Sequence, residues 1–215
     1  MSNDPSKPAA ERRQPKQSRS VETWNGILEA AASIYAERGY EQATTHQIAA
    51  EAGVSVGALY RYFADKQAIL EELYSREVDD VRRRILGEFS LADLVGQDVR
   101  QLVRKTISLA FRVYSEHPGL RRVLREQSRK VPALIELRRR QDTELQDAVQ
   151  QILRGFQQKV RLPDIEVGAY LIALFLESLI DEHVLYRAAE GAFDDERIID
   201  AAADFIMRYV LGRLE

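Results

Sequence analysis

Trp24, Ile27, Leu28, Ala31 and Tyr35 recur at steps of three and four residues, so they line one face of an α-helix. Gly39 follows where a glycine ends such a helix, because it can adopt the left-handed conformation of the closing turn. The same period predicts further helices at about 45–52, 56–62, 66–86, 98–116, 119–128, 131–157, 164–188 and 194–213. Breaks fall at Gly53, Pro118-Gly119, Pro132, Pro163 and Gly191. No segment sustains the alternation of a half-buried strand. The pattern predicts an all-α chain of about nine helices.

The last helices carry unusually wide apolar surfaces. Ile198, Ala202, Phe205 and Tyr209 fall along one line, with Ile199, Ile206 and Val210 beside it. The helix that starts near Glu166 is apolar nearly all round its middle, from Ala169 through Leu176. A helix of that kind is buried on more than one side, by its own core or by a second copy of the chain. At the other end, residues 1–18 hold three of the six prolines and no aromatic residue, the composition of a disordered arm. The stretch from Lys7 to Arg19 is basic: Lys7, Arg12, Arg13, Lys16 and Arg19 stand against Glu11 alone. Such an arm suits either solvent or the phosphates of nucleic acid.

Composition narrows the chemistry. With 45% apolar and 30% charged residues over 215 positions, the chain can build a core of ordinary size. It has no cysteine, which excludes a disulfide framework, a thiolate metal site and a cysteine nucleophile. Three histidines leave little for a metal centre; His183 beside Glu182 has no partner at a helical ligand spacing. No GxSxG, phosphate-cradling glycine loop or supported carboxylate pair is present, so neither an enzyme nor a cofactor is expected. The net charge is −3, so any nucleic-acid surface must be local. The N-terminus lacks the apolar run of a signal peptide. The longest apolar stretch, Val167 to Ile180, is interrupted by Glu177 and falls short of the roughly 20 residues a bilayer requires. A soluble, cytoplasmic protein is expected.

The segment from Thr44 to Leu70 carries the functional signal. Thr44 with Gln47 fits a capping box that starts a short helix. Ile48, Ala49 and Ala52 would face inward, and Ala49 is small enough to let another helix approach. Gly53 permits a tight turn, Val54 plugs it, and Ser55 can cap a second short helix whose inward residues are Leu59 and either Tyr62 or Phe63. That spacing is a helix-turn-helix. Its second helix enters the major groove by the N-terminal end. The exposed positions are then Ser55, Val56, Gly57, Ala58, Tyr60 and Arg61, small residues for close approach and polar ones for phosphates or base edges. Thr45 and His46 would face the flanking backbone, Tyr62 would donate a hydroxyl, and Lys66 would meet a phosphate at the next helix N-terminus.

Residues from about Ile27 to Leu70 resemble the DNA-binding domain of the TetR family of bacterial transcriptional regulators. The matching features are Ile27-Leu28, Ala31, Gly39, Thr44-Thr45, Ile48-Ala49, Ala52-Gly53-Val54-Ser55, Gly57, Leu59-Tyr60, Tyr62-Phe63, Lys66 and Leu70, in order and without a gap. Gln67 stands where that family often has Glu. Ala58 stands where it often has Thr, which removes one hydroxyl from the DNA face. The resemblance implies a helix-turn-helix head over residues 19–66 and a helical ligand-binding and dimerisation domain over 67–215. It implies a homodimer that binds a pseudo-palindromic DNA operator, most often as a repressor, and that a small-molecule effector releases. The last two helices would pair across the dimer, with Phe175, Leu179, Ile198, Ala202, Phe205, Ile206 and Tyr209 as interface candidates. The other reading is an interaction module whose helix-turn-helix packs on a protein.

Charge is uneven in the second domain. Gly119 to Arg140 holds eight basic and two acidic residues, whereas Val160 to Asp200 holds three basic and ten acidic. The two regions either pair with each other or leave an acidic ligand core for a cationic effector. Phe111, Tyr114, Tyr170, Leu174, Glu177, Ser178 and Asp181 are the ligand-site candidates, the last three because they interrupt an apolar helix. Arg121, Arg122, Arg125 and Arg129 offer a further possibility, an anionic ligand or DNA.

Overall fold

The computed structural model describes residues 18–87, 98–156, 158–186 and 193–212. Of the arm expected over residues 1–18, residues 1–17 lie outside these, as does the break at Gly191, whereas Ser18 already belongs to the first helix. Among the described residues there are nine α-helices and no strand: α1 Ser18–Arg38, α2 Thr45–Glu51, α3 Val56–Tyr62, α4 Lys66–Gly87, α5 Val99–Ser115, α6 Pro118–Gln127, α7 Pro132–Gly155, α8 Ile165–Ile180 and α9 Asp195–Leu211. None of them is long and apolar enough to cross a membrane. The chain divides into two compact units, Met1–Leu73 and Tyr74–Glu215, so the boundary falls inside α4.

In the first unit, α1 to α3 close around Ile27, Ala31, Tyr35, Ile48, Ala49 and Leu59, each at most 1% exposed. Phe63 stacks on Trp24 with ring centroids 4.2 Å apart. The start of each short helix is written locally. Thr44 Oγ1 accepts from the Gln47 backbone N–H at 3.2 Å, while Gln47 Oε1 accepts from the Thr44 N–H at 2.9 Å. Ser55 Oγ accepts from the Ala58 N–H at 3.1 Å. Gly53 has φ +65° and lets the chain double back, with the Val54 N–H donating to Ala49 O at 2.9 Å. A methyl at Gly53 would touch nothing, so the requirement for glycine there is conformational.

In the second unit, α5 packs on α9 and α7 on α8, around a core that includes Ile107, Phe111, Leu153, Ala169, Ile172, Ile180, Ile199, Ala203 and Ile206. Gly168 allows a close approach: a Cβ there would sit 2.5 Å from Leu162 Cδ1. The long helix expected to about residue 188 changes character after Ile180 and continues as a π-helical turn, Asp181–Tyr186. Its wider turn keeps Asp181, Val184 and Leu185 all on the buried side, which places a carboxyl among apolar contacts.

Candidate functional site

The first unit offers a surface. Around α3, Leu59 is fully buried and anchors the helix, whereas Ser55, Gly57, Tyr60 and Arg61 are exposed and Val56 and Ala58 half-buried. His46 is exposed on α2. Thr45 Oγ1 and the Tyr60 hydroxyl share a hydrogen bond of 3.0 Å, which joins the first turn of α2 to the outer side of α3. The result is a short helix whose N-terminal half shows small residues, next to a phenol, a guanidinium and an imidazole. That arrangement fits close approach to base edges with polar contacts at the flanks.

The second unit contains a cavity of about 450 Å³. Val78, Val81 and Ile85 of α4, Ile107 and Ala110 of α5, Leu145 and Ala148 of α7, and Leu176 and Ile180 of α8 supply its apolar wall. Tyr114, Arg125, Gln141, Asp142 and Glu177 are among its polar groups. Arg125 is held from two sides, by Glu177 Oε1 at 2.5 Å and by Asp181 Oδ1 at 2.8 Å. Glu177 Oε1 also accepts from Arg138 at 2.6 Å. Burial pushes the Asp181 carboxyl up, against the pull of Arg125. Burial likewise raises Asp142, and the nearby Glu177 charge adds to that. The Tyr114 phenol is raised by burial.

Residues 27–73 match the family of bacterial regulatory proteins named for TetR, and residues 98–209 match the tetracyclin repressor-like C-terminal domain. The chain belongs to the TetR family. Over 66 residues it is 42% identical to the A-factor receptor protein of Streptomyces griseus, a match covering 31% of this chain and 24% of that one. Over 130 residues it is 29% identical to the fatty acid metabolism regulator protein of Bacillus subtilis, covering 60% of each. Both matches span less than two thirds of the relatives' own length. A TetR family transcription regulator from Marinobacter aquaeolei superposes with a TM-score of 0.69 at 25% identity, covering 92% of this chain and 100% of that one.

Within this TetR chain several side chains are placed differently from the expectation. Lys66 is not free for a phosphate: its Nζ donates to the carbonyls of Tyr40, Glu41 and Ala43 at 3.0–3.3 Å and lies over the Tyr40 ring. The ammonium instead closes the loop after α1, whose carbonyls have no helical donors of their own. Tyr62 is half-buried, with its hydroxyl 3.0 Å from Ser20 Oγ and its ring edge-on to Trp24, and Phe63 takes the inward position. Of the ligand candidates, Tyr114 and Glu177 line the cavity. Phe111 is packed in the core, and Asp181 lies behind Arg125. Tyr170 and Leu174, 52% and 44% exposed, and Ser178, also exposed, point away from the cavity because they share the outer face of α8. Of the interface candidates, Ala202 and Ile206 belong to the core face of α9. Phe205 and Tyr209 are on its outer face at 56% and 37% exposure. Phe175 stacks on Phe205 at 4.7 Å, and Leu179 and Ile198 are half-buried.

Arg121 and Arg125 of α6 pair inward, whereas Arg122 is exposed. Arg121, 5% exposed, holds Glu77 at 2.8 Å and donates to Val113 O; Arg129 reaches Asp181 at 3.7 Å. The basic and acidic stretches therefore do pair with each other. His183 Nε2 lies 2.9 Å from Asp195 Oδ1, and among the described residues no group of three or more acidic or imidazole side chains could hold a metal ion. Sequence reasoning missed the α4 and α7 walls. Leu145 and Ala148 follow the same helical period as any core position, so their spacing carried no sign of a cavity.

Proposed function

We propose that the chain is a ligand-responsive transcriptional regulator, most naturally a repressor, that binds a pseudo-palindromic operator as a homodimer and is released by a small molecule. The observation that carries this is the exposed N-terminal face of α3, with Ser55, Gly57, Tyr60 and Arg61 outward over the buried Leu59, in a chain of the TetR family. One such helix reads only a few base pairs, so a two-fold pair is needed for a specific site. The outer faces of α8 and α9 favour that pair: Val167, Tyr170, Leu171, Leu174, Phe205 and Tyr209 are all 37% exposed or more, an apolar surface that association would cover. The cavity, within the roughly 300–1,000 Å³ of small-molecule sites, supports an effector. One relative is named a receptor and another a metabolic regulator, which accords with control by a bound molecule. Such a molecule weakens DNA binding only through its differential affinity for the two states of the dimer.

Selection of bound fragments from a random duplex library, at near-physiological salt, tests the reading. Recovery of a pseudo-palindrome, with affinity that falls steeply as salt rises, is expected. Recovery of nothing above background from folded dimer would overturn it in favour of a protein partner.

A further inference from the structure

The cavity's charge state points to the kind of ligand it accepts, an inference that rests on the ligand-responsive reading above. Its lining carries two guanidiniums, Arg82 and Arg125, and four carboxylates, Asp142, Glu144, Asp147 and Glu177. Both cations already have partners. Arg125 is bound by Glu177 and Asp181, and Arg82 by Glu144 at 3.1 Å. An anionic head reaching the buried Arg125 would have to take it from Glu177 and Asp181 and leave a carboxylate without a partner, whereas Arg82 and Glu144 form an exposed pair at the edge.

The acids are not all matched in return. Glu177 has Arg125 and Arg138, which leaves Asp142 a long ion pair of 3.7 Å with Arg138, beyond hydrogen-bond distance. Asp147 has no hydrogen bond or ion pair among the described residues. Asp142 and Asp147 both stand on α7 and are exposed, so they lie where the lining they share with Leu145 and Ala148 meets solvent. Burial disfavours the charged form of Asp142, and a cation brought beside it would offset that cost.

We propose that the cavity takes a hydrophobic cation, its apolar body against the wall of α4, α5 and α8 and its charge beside Asp142 and Asp147. Charge sets the preference and the apolar wall supplies most of the affinity, so an uncharged molecule of the same shape binds more weakly but still binds.

A matched series isolates the charge: decyltrimethylammonium, decanol and decanoate, each titrated calorimetrically into the full chain below micelle-forming concentrations. The ammonium is expected to bind on the order of tenfold more tightly than either of the others. Asp142→Asn with Asp147→Asn should abolish that preference while decanol binding persists, which also shows the variant is folded. Ala148→Trp, which fills the space, should remove all three. Decanol or decanoate binding as tightly as the ammonium, yet lost in Ala148→Trp, would overturn the cation assignment and leave the cavity as the ligand site. A preference that survives the double Asn change would overturn the role of the two carboxylates. Binding of the ammonium untouched by Ala148→Trp would place it elsewhere and overturn the proposal. No binding by any probe would overturn the proposal and count against the cavity as an effector site too.

Discussion

Glu177 joins two arginines, and its removal should show how much the buried charge network holds together. Glu177→Ala deletes the acceptor of Arg125 at 2.5 Å and of Arg138 at 2.6 Å. Taking one partner from a buried ion pair costs about 3–5 kcal/mol, because the remaining charge is desolvated and unmatched, whereas an exposed pair is worth about 0–1 kcal/mol. These side chains are mostly buried, at 13%, 18% and 19% exposure for Arg125, Glu177 and Arg138. Arg125 keeps Asp181 at 2.8 Å, while Arg138 keeps only Asp142 at 3.7 Å. The expected loss is therefore about 2–3 kcal/mol, most of it from the orphaned Arg138. For a chain of this length that is about 4–12 °C in Tm.

Urea unfolding at one fixed protein concentration measures it, since self-association would make apparent stability depend on concentration. Arg138→Met in the Glu177→Ala background should recover part of the loss, giving a coupling of about 1–2 kcal/mol. A loss under about 1 kcal/mol, or strictly additive effects of the two changes, would refute the buried-network reasoning and make the cluster a solvated one.

Arg61→Ala, at an exposed position on α3, should weaken binding to all DNA sequences and reduce the salt dependence by about one phosphate contact, with helicity unchanged; equal affinity at low salt would show that the groove face is wrongly assigned. Phe205→Asp places a carboxylate on the 56% exposed outer face of α9 and should yield a monomer by sedimentation if that face is the dimer contact, at a cost of several kcal/mol per buried unpaired charge. A variant that still sediments as a dimer would place the contact elsewhere. Burial pushes the Tyr74 phenol up to about 12. Its folded pKa lies above its unfolded value, so its stabilising contribution is complete below pH 10 and is lost as pH rises from 10 to about 12. Tyr74→Phe should flatten that part of the stability–pH curve, and an unchanged slope would assign the loss to other groups.

Local signals carried much of the first unit. The capping box of Thr44 and Gln47, the cap at Ser55 and the positive φ at Gly53 depend on residues three or four apart, and their hydrogen bonds form within those segments. Lys66 shows the limit of that reasoning. From sequence it is a cation at a helix start, and only the path of the loop after α1 brings three carbonyls to its Nζ.

What the amino-acid order determined by itself was the all-α character, the approximate helix ends and the helix-turn-helix, because helical period, caps and glycine turns are short-range properties. What only the tertiary structure decided was which side of α8 faces in, which acids meet which arginines, and where a cavity opens between α4, α5, α7 and α8. α8 is apolar on nearly every side, so its period does not select a face. Gly168, Ala169, Ile172 and Ala173 turn inward because small side chains and a glycine let neighbouring segments close upon them, which leaves Tyr170, Leu171 and Leu174 outside. Ion pairs such as Arg125 with Glu177 join residues some fifty positions apart, and a cavity is the space that packing leaves unfilled. Both are set by how elements meet in space, which no local pattern of residues records.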